Sequence, residues 1–188
     1  MLKTKRLGQL VSTRSAMTVP GASNALFARM IEDLGFEAVY ATGAGIANMF
    51  LGAPDIGLTT LTEVSQVVSA MSDAIEIPII VDADTGFGNA VNMVRTVRVL
   101  ERSGAAGIQI EDQIFPKKCG HFRGKEVISA SEMVQKIKAA VDSRHDQNLQ
   151  IIARTDARAS EGIDAAIARA HLYIEAGADL TFVEAPKS

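Results

Sequence analysis

Three times along the chain a helical stretch closes in glycine and gives way to small residues and then an apolar run. The copies are Glu32-Asp33-Leu34-Gly35 before residues 36–41, Glu101-Arg102-Ser103-Gly104 before 105–110, and Ile174-Glu175-Ala176-Gly177 before 178–183. Glycine closes a helix in the left-handed conformation without a Cβ penalty. Each run that follows is too short for a helix and rich in apolar residues, so it predicts a buried strand. Two more strands are expected at 77–81 and 149–153, and a weaker one at 16–19, ended by Pro20-Gly21. Amphipathic helices are expected at 62–72, 91–102, 131–142 (with Ser131 as cap) and 165–176. Buried strands alternating with such helices imply crossover βα units and a parallel sheet. Two architectures satisfy the pattern, an open doubly wound sheet or a (β/α) barrel. A complete eight-stranded barrel takes about 250 residues, so six strands in 188 residues would leave one unfinished. No proline- or serine-rich linker divides the chain, and residues 1–188 are read as one domain.

Composition narrows the function. Hydrophobic residues at 47% and charged residues at 22% suit a packed globular protein rather than a disordered one. Nineteen basic residues against twenty-two acidic ones, for a net charge of -3, supply no basic stripe for nucleic acid and no cationic face for a membrane. No apolar run approaches the roughly 20 residues of a membrane span. The basic start, Met1 to Arg6, is not followed by the apolar core of a signal peptide. A lone cysteine, Cys119, excludes an internal disulfide and fits a reducing cytoplasm. A small-molecule ligand is the expected partner.

The later strands run straight into charge. Ile79-Ile80-Val81 leads to Asp82 and Asp84, and Ile108-Gln109-Ile110 to Glu111 and Asp112. Ile151-Ile152-Ala153 leads to Arg154 and Asp156, and Thr181-Phe182-Val183 to Glu184. In a parallel sheet these ends share one rim, where α/β proteins place their active sites. One such carboxylate is commonly a helix cap; four strands doing so in register call for a cation among them. Oxygen ligands without a His/Cys cluster favour Mg²⁺ or Mn²⁺ over zinc. Alternate strand residues share a face, so Asp82 and Asp84 are expected to point at one metal. The glycines of Asp82-Ala83-Asp84-Thr85-Gly86-Phe87-Gly88 do not make a dinucleotide fingerprint, because Val91 holds the third glycine position. The loop Phe115-Pro116-Lys117-Lys118-Cys119-Gly120-His121 sets a thiol beside two lysines and a histidine. Cationic neighbours lower a thiol's pKa and poise it for proton transfer or nucleophilic attack.

These segments, with Tyr40, Thr42-Gly43-Ala44, Glu111-Asp112-Gln113, Ala153-Arg154-Thr155-Asp156-Ala157 and Glu184-Ala185, resemble the isocitrate lyase/phosphoenolpyruvate mutase superfamily over nearly the whole chain. The likeness is nearest to its methylisocitrate and dimethylmalate lyases, and Lys-Lys-Cys-Gly-His is specific to the lyase branch. The resemblance implies a (β/α)8 barrel of which this chain holds about the first six units, and a homotetramer that exchanges a C-terminal helix. It implies Mg²⁺ (or Mn²⁺) on Asp82 and Asp84, with Glu111 in the outer shell. Tyr40, Thr42, Gly43 and Ala44 would hold an α-keto acid, Asp55 and Gly120 would line the site, and Arg154, paired with Glu184, would grip a carboxylate. Cys119, on a gating loop with Lys117 and His121, would protonate the departing fragment. The implied activity is cleavage of a di- or tricarboxylic acid, a 2-methylisocitrate- or substituted-malate-type substrate, to an α-keto acid and a carboxylic acid. Oxaloacetate hydrolysis, carboxyphosphonoenolpyruvate phosphonomutase chemistry and a non-catalytic barrel fragment are the alternatives. Thr42-Gly43-Ala44 departs from the Ser-Gly-Gly common in these lyases, and the chain stops short of the expected last two strands.

Overall fold

The computed structural model describes residues 1–13, 15–120, 122 and 124–185. Six parallel strands form its centre: β1 (Gly21–Ala22), β2 (Val39–Ala41), β3 (Ile79–Asp82), β4 (Gly107–Glu111), β5 (Gln150–Thr155) and β6 (Leu180–Val183). They pair strictly in chain order. That order separates the two architectures. A doubly wound sheet reverses its order at a switch point, whereas a barrel lays each new strand beside the last. The fold is therefore of the (β/α)8 type, represented by its first six strands.

The crossovers are α2 (Ala25–Asp33), α4 (Leu61–Ala74), α5 (Ala90–Arg102), α6 (Ala130–Ser143) and α8 (Ile163–Glu175); α1 (Lys3–Ser12), α3 (Gly43–Ile46) and α7 (Ala157–Ser160) are additions. Strand side chains alternate between two faces. Val39 and Ala41, Ile79 and Val81, Ile108 and Ile110, and Ile151 and Ala153 are all fully buried in the core beneath the helices. Burying each large aliphatic side chain contributes about 1.5–3 kcal/mol, so this layer fixes which face the intervening residues must take. Capping fixes where the helices begin. Thr60 and Glu63 form a reciprocal capping box on α4, and Asn89 and Asn92 form one on α5. The three repeat glycines adopt φ of 86° (Gly35), 95° (Gly104) and 105° (Gly177), which only glycine tolerates cheaply.

Two sequence expectations need correction, and one element is new. The first strand is Gly21–Ala22, not 16–19: the Pro20 carbonyl accepts from Tyr40 N–H at 2.9 Å, and Met17 and Val19 line a cavity instead. The cap of α6 is Ser129, whose hydroxyl accepts from Glu132 N–H at 3.2 Å, while Ser131 bonds only to that hydroxyl. Helix α1 was not anticipated. It lies across the starts of β4 and β5, with Leu7 fully buried near Gly107 and Gly8 facing Gln150. Lys3 Nζ anchors it by donating to the Ser72 and Ile75 carbonyls at 2.8 and 2.5 Å. No helix among the described residues is long and apolar enough to cross a membrane.

Candidate active site

The face opposite the apolar layer collects Tyr40 and Asp82, Gln109 and Arg154 at the C-terminal ends of the strands. A cavity of about 600 Å³ opens there, lined also by Thr42, Ala44, Asp55, Cys119, Gly120 and Glu184. Most of the predicted site residues thus meet in one place. His121 lies outside the described residues.

Asp82 and Asp84 converge on the backbone of Gly43. A Cβ there would lie 3.0 Å from Asp82 Oδ2 and 3.2 Å from Asp84 Oδ1. Gly43 N–H donates to Asp82 Oδ2 at 3.2 Å, and Asp84 N–H donates to Asp82 Oδ1 at 3.2 Å. Strand alternation is not what brings the two carboxylates together. β3 ends at Asp82, and Asp84 turns back with φ of 48°, a conformation that Asp tolerates better than most residues. Glu111 stands one strand over, its N–H on the Asp84 carbonyl at 2.8 Å and its carboxylate 3.4 Å from Arg154 Nε.

Lys117 is buried among these groups, with Nζ 2.7 Å from Asp55 and 2.6 Å from Asp84. Burial disfavours its charge, but Asp84, Glu111 and Asp82 outweigh that and hold the ammonium's pKa above its usual range. Burial, and then the Asp82 charge, raise the Asp84 carboxyl from 3.8 to about 7. Burial likewise pushes Glu111 well above the ordinary carboxylate range, and burial with the Asp82 charge pushes up the Tyr40 phenol. The Tyr40 hydroxyl accepts from Gln109 Nε2 at 2.6 Å.

This chemistry fits a divalent cation. Both Glu111 carboxylate oxygens are buried without a hydrogen-bond partner among the described residues, and Asp84 Oδ1 is met there by the Lys117 ammonium alone. Among the described residues, Asp55, Asp84, Glu111, Asp156 and Glu184 pair with Lys117, Lys125 and Arg154, and Asp82 stands beside Asp84. No three acidic, histidine or thiol groups among the described residues enclose an ion by themselves. Mg²⁺ does not require that, because it is commonly held by one or two carboxylates with water and substrate oxygens completing its shell.

Arg154 is fixed by a bidentate grip on Asp156, Nε to Oδ2 at 2.9 Å and Nη2 to Oδ1 at 3.1 Å, with Glu184 3.6 Å away. Asp156 is held in turn by its own N–H on Asp112 Oδ1 at 2.9 Å, and Asp112 also accepts from Thr155 and Tyr173 hydroxyls at 2.7 Å each. This buried scaffold was not assigned a role from sequence. The acidic residues at the strand ends were visible, but nothing in their order told ligand from support.

The loop carrying Cys119 leaves after β4 and returns through an antiparallel bridge between Gln113 and Val127. Sequence adjacency suggested that both lysines would stand beside the thiol. Lys117 instead faces Asp55 and Asp84, and Lys118 Nζ donates to the Gly124 carbonyl at 2.7 Å. Cys119 is half-buried at the cavity wall.

Comparison with known proteins identifies the family. The family described as phosphoenolpyruvate phosphomutase matches residues 7–188. The chain is 52% identical to 2,3-dimethylmalate lyase of Eubacterium barkeri over 97% of its own length and 63% of that protein. It is 52% identical to 2-methylisocitrate lyase of Aeropyrum pernix over 95% of its length and 57% of that protein. Among solved structures it superposes on 2,3-dimethylmalate lyase with a TM-score of 0.94 and 35% identity, covering 100% of this chain and 64% of that one. Oxaloacetate acetylhydrolase bound to 3,3-difluorooxalacetate gives 0.94 and 37%, with 99% and 64% covered. Phosphonopyruvate hydrolase with oxalate and Mg²⁺ gives 0.91 and 31%, with 100% and 64% covered. The chain thus spans about three-fifths of the length of these relatives, and over that span it belongs to the phosphoenolpyruvate mutase/isocitrate lyase superfamily.

Proposed function

We propose that this chain carries the metal, keto-acid and proton-donor part of an oxo-acid lyase. The reaction is the splitting of a 2-methylisocitrate- or substituted-malate-type acid into an α-keto acid and a carboxylic acid. The observation that carries this reading is the meeting of Asp82 and Asp84 at Gly43, with Asp82 lining one cavity together with Cys119 and Arg154. Similarity to two lyases at 52% identity supports it.

Asp82 and Asp84 would hold Mg²⁺, or Mn²⁺ with the same oxygen preference, and Glu111 would back them. Bound there, the ion would supply Lewis-acid polarisation of the keto acid's oxygens. Tyr40, Thr42 and Ala44 shape the wall against which the keto acid lies. Arg154, held in place by Asp156, offers its remaining N–H groups to a substrate carboxylate. The substrate hydroxyl gives its proton to a carboxylate lining the cavity, and its oxygen becomes the keto oxygen. The electron pair of the breaking carbon–carbon bond stays with the carboxylic acid fragment, and Cys119 Sγ–H delivers a proton to that carbon. The thiolate left behind is reprotonated from solvent. Lys117 offsets the negative charge of Asp55 and Asp84 while this happens. The proposed setting is a cytoplasmic homotetramer.

The test is a coupled assay of keto-acid release by the full-length protein with Mg²⁺, offered methylisocitrate, dimethylmalate and oxaloacetate in turn. Calorimetric titration of Mg²⁺ into the protein and its Asp84→Ala variant accompanies it. Release from a substituted malate, with binding heat lost in the variant, supports the lyase. Turnover of oxaloacetate alone would make it a hydrolase, and no metal binding would make it a scaffold.

A further inference from the structure

The only lysine of the loop's returning limb, Lys125, has its side chain 2% exposed and is not used by the mechanism above. A buried ammonium is costly unless paired and hydrogen-bonded. Among the described residues its Nζ has two partners, the Asp156 carboxylate Oδ1 at 2.6 Å and the Gly120 carbonyl at 2.6 Å. Oδ1 of Asp156 also receives Arg154 Nη2. A single carboxylate oxygen therefore joins the guanidinium that faces the cavity to the backbone next to Cys119.

Gly120 itself rests on the Arg154–Glu184 pair. A Cβ at this position would overlap the Glu184 carboxylate and come within 2.7 Å of Arg154 Nη2. The loop backbone can pack this closely only at glycine, and something must hold it there. Lys118 braces the opposite side by donating to the Gly124 carbonyl, but that bond is exposed and stays within the loop. Lys117 ties the outgoing limb to Asp84, and Lys125 ties the Gly120 backbone beyond Cys119 to Asp156.

We propose that Lys125 is a positioning residue that latches the Cys119–Gly120 segment over the cavity, by bridging the Gly120 carbonyl to the carboxylate that fixes Arg154. The latch deepens the lyase reading, since it sets the distance between the proton donor and the group that grips the substrate. Removing the ammonium leaves Asp156 held by Arg154 and Asp112, so Arg154 keeps its place while the loop is released.

Cys119 reports the latch without turnover. The rate of its alkylation by iodoacetamide, followed by mass spectrometry of the Cys119 peptide, is compared in the parent protein, Lys125→Met and Lys125→Arg. Loss of a charge-assisted hydrogen bond is expected to raise the rate in Lys125→Met by about tenfold or more. Lys125→Arg, which can donate to both acceptors, is expected to stay near the parent rate. On whichever acid is turned over, Lys125→Met should lower kcat far more than it changes KM, with Mg²⁺ affinity unaltered. An unchanged alkylation rate in a Lys125→Met protein that melts normally would overturn the latch. Should that variant fail to fold, Lys125→Gln, too short to span both acceptors, takes its place in the same comparison. A protein inactive on every acid tried would defeat the lyase reading, yet the thiol rates would still decide the latch.

Discussion

Gly43→Ala puts the proposed metal site under a measurable strain. The new methyl would stand 3.0 Å from Asp82 Oδ2 and 3.2 Å from both Asp82 Cγ and Asp84 Oδ1. Ordinary contacts between heavy atoms are near 3.5 Å or more, so the carboxylates must retreat by roughly half an ångström. Asp82 has little room to do so, because it already accepts from Gly43 N–H and Asp84 N–H. Overpacking of this kind costs about 1–3 kcal/mol. Mg²⁺ demands near-ideal octahedral geometry, and a displaced ligand pair should weaken its binding by about tenfold, roughly 1.4 kcal/mol. Gly8→Ala is the control. It sits in α1, where a Cβ meets nothing closer than Gln150 Nε2 at 3.5 Å. That exchange should stabilise the protein by about 0.5–1 kcal/mol through helix propensity and leave Mg²⁺ binding alone. The assay is isothermal titration with Mg²⁺, with thermal melts of all three proteins in parallel. Parental Mg²⁺ affinity in Gly43→Ala would refute the reasoning, because the carboxylates would then not be where binding occurs.

Cys119→Ser should lower turnover by orders of magnitude while leaving Mg²⁺ binding intact, and a parental rate would remove the thiol from the reaction. Arg154→Lys loses the two-pronged grip on Asp156 and with it the orientation of the charge facing the cavity; kcat/KM should fall at least about tenfold, and steady-state kinetics checks it. The Glu63 carboxylate is held below its ordinary 4.5 by the Thr60 backbone N–H and hydroxyl. Its contribution to stability is therefore present above pH 4.5 and lost as the pH falls through the lowered value. Melts of the parent and Glu63→Gln should differ near neutrality and converge in acid, and a difference that persists in acid would contradict the capping box.

The linear chain was enough to give the parallel βα pattern, because a glycine closing a helix and a short apolar run after it are local signals. It also carried the site's membership: Asp82, Asp84, Glu111 and Arg154 follow apolar runs directly, so any parallel sheet gathers them on one rim. The periodic pattern alone left the sheet's closure open, since strand order depends on which faces pack and not on any single segment, although the family resemblance already implied a barrel. The assembled strands, in consecutive order, bear the barrel out. Tertiary structure also set the roles within the cluster. Lys117 and Lys118 are neighbours in the chain, yet one is buried against Asp55 and Asp84 and the other braces an exposed carbonyl. Asp156, Asp112 and Lys125 look like ordinary charges in the sequence. Their burial made them a scaffold, because a charge removed from water must find its partners, and those partners are brought near only by the fold.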